Sequence, residues 1–208
     1  KIPLNTVVLV GYTNSGKSSL FNILTNSFVL SKDMLFATLD PKMKILELPL
    51  SNDVILSDTV GFISDLPTQL IEAFKATLEE LIHSDCILHV RDISSNDFVR
   101  QSLIVYGILE ELGITKLNKP IIEVWNKTDL INLSNHDKIQ FKDKNDVVLI
   151  SAKTNYGIQD LKNKISNFFN KSKFQERIFL PFDKIKIRSW LFEKKLVLKE
   201  QIVDDGFL

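Results

Sequence analysis

Val7-Val8-Leu9-Val10-Gly11-Tyr12-Thr13-Asn14-Ser15-Gly16-Lys17-Ser18 is the stretch that decides the fold of this 208-residue chain. Its first four residues form an apolar run rich in β-branched side chains, the pattern of a buried parallel strand. The next eight match G-x-x-x-x-G-K-[ST], a phosphate-binding loop. Leu20, Phe21 and Leu24 then recur at helical spacing, so strand, tight turn and helix start follow one another. In that geometry backbone N–H groups and the helix N-terminus converge on anionic oxygens. Lys17 reaches the β- and γ-phosphates of a nucleotide, and the Ser18 hydroxyl can ligate Mg²⁺. Gly11 and Gly16 admit a close backbone approach, and Ser15 and Ser19 complete the loop around the phosphates.

Three further motifs each follow an apolar run that reads as a strand. Asp58-Thr59-Val60-Gly61 follows 54–56, Asn126-Lys127-Thr128-Asp129 follows 121–125, and Ser151-Ala152-Lys153 follows 147–150. Strands alternating with helices, each strand ending in a motif, predict an α/β P-loop NTPase fold. Its sheet should be mostly parallel and doubly wound, flanked by helices, with the ligand at the carboxyl ends of the strands.

The Asn126 to Asp129 motif specifies the base. A carboxylate at Asp129 can accept from the N1–H and 2-amino group of guanine, two charge-assisted hydrogen bonds of about 1.5 to 3 kcal/mol each. Adenine offers neither donor in that place and would leave Asp129 unpaired. Asn126 is expected to tie this loop to the phosphate loop, the Lys127 stem to pack over the base, and the Ala152 N–H to reach guanine O6, with Ser151 and Lys153 alongside. The ligand is therefore read as GTP or GDP.

Catalysis is assigned to Lys17, Thr38, Gly61 and Asn14. Asp58 ends a strand, where a carboxylate can orient Mg²⁺ through water, and the Gly61 N–H can meet the γ-phosphate. Thr38 is the only threonine between Thr25 and Thr59 and is the natural switch ligand, so the Mg²⁺ set is Ser18, Thr38 and Asp58. Loss of the γ-phosphate would release both loops. Phe62 follows Gly61 and cannot orient a water by hydrogen bonding. Unassisted hydrolysis should then be slow, on the order of 10⁻⁴ to 10⁻² s⁻¹. Asn14 either helps to hold a potassium ion between β- and γ-phosphates or merely stabilises the loop.

Composition restricts the remaining choices. With 44% hydrophobic residues the chain can build a substantial core, and its single cysteine, Cys86, rules out an internal disulfide framework. Cys86 sits in an apolar run and reads as a core thiol; His83, His89 and His136 are unclustered and read as structural. No apolar run approaches the ~18 residues of a spanning helix, so no stable membrane insertion is expected, and a cytoplasmic, monomeric protein is. The chain opens on Lys1 rather than Met, as a fragment of a longer protein would. Net charge is zero but uneven: residues 1–161 carry 15 Lys and Arg against 20 Asp and Glu, and residues 162–199 carry 11 against 3. That basic stretch suits either RNA phosphates or a solvated lysine-rich surface.

Domain organisation follows from the same patterning. A GTP-binding domain is expected over 1–171 and a small β-α-β domain over 172–208. Leu66, Leu70, Phe74, Leu78 and Leu81 predict one helix, Ser95-Asn96-Asp97 offers caps for another ending near Gly113, and Ile158, Leu161, Ile165 and Phe168 mark a third. In the small domain, strands are expected at 177–180 and 196–203 around a helix at 182–192. Asp204-Asp205-Gly206 signals a hairpin whose second strand appears cut off after Leu208.

Taken together, Gly11 to Ser18, Leu35-Phe36-Ala37-Thr38-Leu39-Asp40-Pro41, Asp58-Thr59-Val60-Gly61-Phe62-Ile63, Leu66-Pro67 and Ala73-Phe74-Lys75-Ala76-Thr77-Leu78-Glu79-Glu80 closely resemble the HflX family of translational GTPases. The resemblance covers residues 5–170, and Leu180-Pro181 with Arg188-Ser189 is similar to the family's small C-terminal domain. It implies a GTP hydrolase whose nucleotide switch controls association with the large ribosomal subunit, its rRNA and its proteins, and in several members splits or rescues stalled ribosomes. It also implies an N-terminal domain and glycine-rich linker, absent here, that make the main ribosomal contacts. This chain alone is then expected to hydrolyse GTP without splitting ribosomes. Two other readings stay open: a nucleotide-gated binding module with negligible hydrolysis, and the cytosolic G domain of a membrane transporter.

Overall fold

A computed structural model describes residues 4–27, 42–49, 53–59, 61, 80–114, 117, 119–131, 147–170, 176–194 and 196–208. Thr38, Phe62 and nearly all of the helix expected from Leu66 to Leu81 lie outside them; residues 80–83 are helical. The chain divides into two compact units, Lys1–Ser166 and Asn167–Leu208.

Among the described residues, the first unit has six strands: β1 (Asn5–Val10), β2 (Lys42–Leu46), β3 (Val54–Asp58), β4 (Cys86–Asp92), β5 (Ile121–Asn126) and β6 (Val147–Leu149). Their order in the sheet is β2-β3-β1-β4-β5-β6. β2 runs antiparallel to β3, and every other neighbouring pair is parallel. Val7 to Val10 and Cys86 to Val90 are wholly buried, because helices cover both faces of such a sheet. Among the described residues, besides the helical 80–83, the first unit carries α1 (Lys17–Leu24), α2 (Phe98–Glu111) and α3 (Ile158–Asn170), the last running across the division between the units. Val8, Val10 and Ile87 pack with Val105 and Leu109 of α2. Leu20, Phe21 and Leu24 of α1 and Leu161 and Ile165 of α3 are buried at the spacing read from the sequence, but Phe169, not the expected Phe168, is the buried phenylalanine of α3.

The N-cap of α2 falls within the expected Ser95-Asn96-Asp97: Asp97 takes that position without a capping bond from its side chain, and Ser95 Oγ accepts the Asp97 N–H at 3.2 Å and the Gln101 amide at 3.1 Å.

The second unit is a small antiparallel sheet, β7 (Leu180–Pro181), β9 (Gly206–Phe207) and β8 (Ile202–Val203) in that order, with a 3₁₀ turn at Phe182–Lys184 leading into α4 (Ile185–Glu193). The hairpin's second strand is present over Gly206–Phe207. Gly206 and Phe207 pair with β8 on one side and β7 on the other, and Leu208 exchanges two 2.8 Å backbone bonds with Gln201. Two residues therefore suffice as a strand because both their edges are used. Asp204 and Asp205 make the turn, and Gly206 lies in the strand, where a Cβ would stand 2.3 Å from Leu180 O. Arg188 braces this unit: its guanidinium meets Glu200 in two bonds of 2.8 and 2.9 Å and lies over the rings of Phe192 and Phe207. Among the described residues, no helix is long and apolar enough to cross a membrane.

Candidate functional site

The parallel strands β1, β4 and β5 end side by side, and the motifs of the first unit collect there. Gly16, φ 95 and ψ 22, is the N-cap of α1 and supplies no side chain to its first turn, so the helix N-terminus is left to its backbone N–H groups. Gly11 passes so close to β4 that a Cβ would stand 2.2 Å from Val90 O. Lys17 is 6% exposed, and its Nζ donates to Gly11 O at 3.1 Å and Tyr12 O at 3.0 Å. The loop thus curls around the ammonium. Burial lowers the Lys17 pKa to about 8, against the opposing pull of the Asp58 carboxylate. A desolvated cation beside an uncapped helix N-terminus is a strong attractor for phosphate oxygens. The buried Ser15 hydroxyl, with no hydrogen-bond partner among the described residues, adds a donor to the same loop.

Asp58 is wholly buried at the end of β3, paired in register with Leu9 of β1. Thr59, which the sequence reading passed over, locks that end by donating its hydroxyl to Leu9 O at 2.6 Å. Gly61 is drawn to the phosphate loop: a Cβ on it would stand 3.0 Å from Lys17 Nζ and from Thr13. The structure therefore brings Lys17, Asp58 and Gly61 together with the loop that carries Ser18. A hydroxyl and a carboxylate are hard oxygen donors, and the set fits Mg²⁺. Thr38, the third expected ligand, lies outside the described residues.

Asn126 joins the two halves of the site. Its Nδ2 donates to Ser15 O at 3.0 Å and its Oδ1 accepts the Ala152 N–H at 3.0 Å. The first bond is the expected tie to the phosphate loop. The second engages the Ala152 N–H, the donor expected to reach guanine O6, within the same bridge. Asp129 Oδ1 accepts the Ser151 hydroxyl at 2.7 Å. Lys127, φ 65 and ψ 34, lies left-handed ahead of the 3₁₀ turn Thr128–Leu130, and its Nζ pairs with Asp92 Oδ2 at 2.8 Å. Thr128 fastens the turn by bonding Ile150 O through both N–H and hydroxyl. Lys153 is exposed.

Asp92 contributes to the base loop though no motif includes it, and Glu123 organises the sheet beside it. Glu123 lies under α2, where it accepts from Arg91 at 2.8 Å, Tyr106 at 2.9 Å and Trp125 at 2.6 Å. Burial works against its charge, yet these donors, Trp125 foremost, hold the carboxyl below its ordinary range. A charged residue alternating with apolar ones in a strand was the only available signal.

Fold and site together define a P-loop nucleotide-binding domain with a guanine-type base loop. The profile of the family described as "50S ribosome-binding GTPase" matches residues 6–127. GTPase HflX of Magnetococcus marinus is 42% identical over 180 residues, covering 86% of this chain and 41% of that protein. GTPase HflX of Lacrimispora saccharolytica is 44% identical over 202 residues, covering 95% of this chain and 46% of the relative. Among solved structures, a GTP-binding protein from the archaeon Sulfolobus solfataricus, in complex with GDP, superposes with a TM-score of 0.65 at 30% identity, over 81% of this chain and 53% of that one. The chain belongs to the HflX family of GTPases. It spans less than half the length of these HflX relatives.

Proposed function

We propose that this chain binds Mg²⁺-GTP, hydrolyses it to GDP and phosphate, and uses the difference between the two states to control association with the large ribosomal subunit in the cytoplasm, as part of a protein that splits or rescues ribosomes. The observation that carries the reading is the Asn126 bridge, 3.0 Å to Ser15 O and 3.0 Å from Ala152 N. It couples a phosphate loop to a base loop, an arrangement that serves a ligand possessing both parts. Ser18, Asp58 and Thr38 are the residues assigned to Mg²⁺, which when bound neutralises charge on the β- and γ-phosphates. Lys17 is held among loop carbonyls ready to shift to phosphate oxygens, and Gly61 stands beside it to offer its N–H to the γ-phosphate. Asp129, oriented by Ser151, selects guanine. Asn14, exposed at the loop with φ 59, is the residue given to a potassium ion between the phosphates.

GTP turnover by this chain with and without purified large ribosomal subunits tests the proposal, in potassium and in sodium. The expected result is slow unassisted turnover, about 10⁻⁴ to 10⁻² s⁻¹, that rises with subunits and with potassium. Subunits that neither bind the GTP form nor raise turnover defeat the ribosomal reading. Equal rates in the two salts remove the role given to Asn14.

A further inference from the structure

Lys127 is held in a way that its motif does not specify. Its Nζ stands 2.8 Å from Asp92 Oδ2, with the two side chains 25% and 16% exposed. Asp92 is the last residue of β4 and faces Asn126 in the β4–β5 register. The next N–H, that of Ile93, donates to Asn126 O at 3.1 Å, so the end of β4 and the start of the base loop are bonded to each other. The carboxylate is itself oriented: Oδ1 accepts the Ser94 N–H at 3.0 Å and the Ser94 hydroxyl at 2.5 Å. Its other oxygen is thereby aimed at the lysine.

A lysine side chain is rich in rotamers, and ordering it on binding opposes affinity. A partner that orders it beforehand removes that opposition. The pairing also holds the ammonium to one side, so that on the guanine reading the apolar stem of Lys127 is left to pack over the base. We infer that Asp92 is a positioning residue for the guanine nucleotide: it fixes Lys127 where the stem covers the base and so slows nucleotide release. This rests on the guanine reading of Asn126 and Asp129. Asp92 acts through Lys127 alone and touches no nucleotide atom.

A residue that merely shapes the Asp92 to Ser94 turn would act independently of Lys127, and a double-mutant cycle separates the two cases. Release of a fluorescent GDP, the N-methylanthraniloyl derivative, is followed by stopped flow for the whole chain, Asp92→Ala, Lys127→Ala and the double variant. Asp92→Ala should release GDP about tenfold faster, and should add less than about twofold in the Lys127→Ala background. Asp92→Asn keeps the shape and an oxygen for Ser94 but loses the charge. It should accelerate release like the alanine variant, and it replaces that variant should the latter not fold. Release from Asp92→Asn equal to that of the unaltered chain, or full additivity in the cycle, overturns the inference. An unaltered chain that fails to bind the fluorescent GDP defeats the guanine reading itself, whereas tight binding with unchanged release in the Asp92 variants defeats this inference only.

Discussion

Ser151 reaches Asp129 Oδ1 at 2.7 Å, so the carboxylate plane is set by the protein before a base arrives. Only carboxylate oxygens accept from both guanine donors; an amide in their place offers one acceptor and one donor. Asp129→Asn should therefore weaken GDP binding roughly a hundredfold or more and favour xanthosine diphosphate, whose 2-oxo group accepts where guanine donates. Competition between the two nucleotides measures the switch. A second single-residue effect lies beneath α2. His89 is 1% exposed, its Nδ1 has no hydrogen-bond partner among the described residues, and its ring meets Tyr106 edge-on at 5.1 Å. Burial lowers its pKa to about 4, with Glu123 opposing and Arg91 and Lys17 adding to the shift. The unfolded chain, near 6.5, then binds more protons than the folded chain between pH 6.5 and 4. Stability from this group is full above that window and falls as pH drops through it. His89→Phe should make the melting temperature less sensitive to acidification from pH 7 to 5 than it is in the unaltered chain.

At the scale of elements, the site is a set of strand ends clamped by side chains. β1, β4 and β5 carry the loops, but neighbouring strand ends do not by themselves fix how two loops face each other. Asn126 does, and Gly16 makes room for it, since a Cβ there would stand 2.2 Å from Asn126 Nδ2. Asn126→Ala would strand the Ser15 carbonyl and the Ala152 N–H, at about 1 to 3 kcal/mol for each buried group left unpaired. Both thermal stability and GDP affinity should fall together, as calorimetric melting and nucleotide titration would record. A variant that lost stability but kept full affinity would mean that the bridge serves the fold and not the site.

At the scale of the molecule, the described site residues fall in the first unit. Lys17, Asp58, Gly61, Asn126, Asp129 and Ser151 all belong to Lys1–Ser166. A fragment of residues 1–171, which retains the whole of α3, should bind GDP within about twofold of the 208-residue chain, a difference well under one kcal/mol. Affinity lost by more than tenfold would show that 172–208 takes part in the site. The second unit has its own bracing, the Arg188–Glu200 pair and the three-stranded sheet.

Local pattern was enough for the strands and for the phosphate and base motifs at their ends, because a buried parallel strand and a phosphate loop each constrain a few consecutive residues. Val7 to Val10, the loop to Ser18, and the base motif at Asn126 to Asp129 were legible for that reason. What depended on distant residues was not. The partner of the Ala152 N–H, the hold of Asp92 on Lys127, the Thr59 lock on Leu9 and the second edge that lets Gly206–Phe207 serve as a strand all join segments far apart in the chain. Sequence by itself determined which chemical groups are present and the local turn each adopts; tertiary structure alone decided which of their hydrogen bonds are already taken. The physical reason is that a buried donor or acceptor must be satisfied by whatever the fold brings within about 3 Å, and no one-dimensional spacing encodes that neighbour.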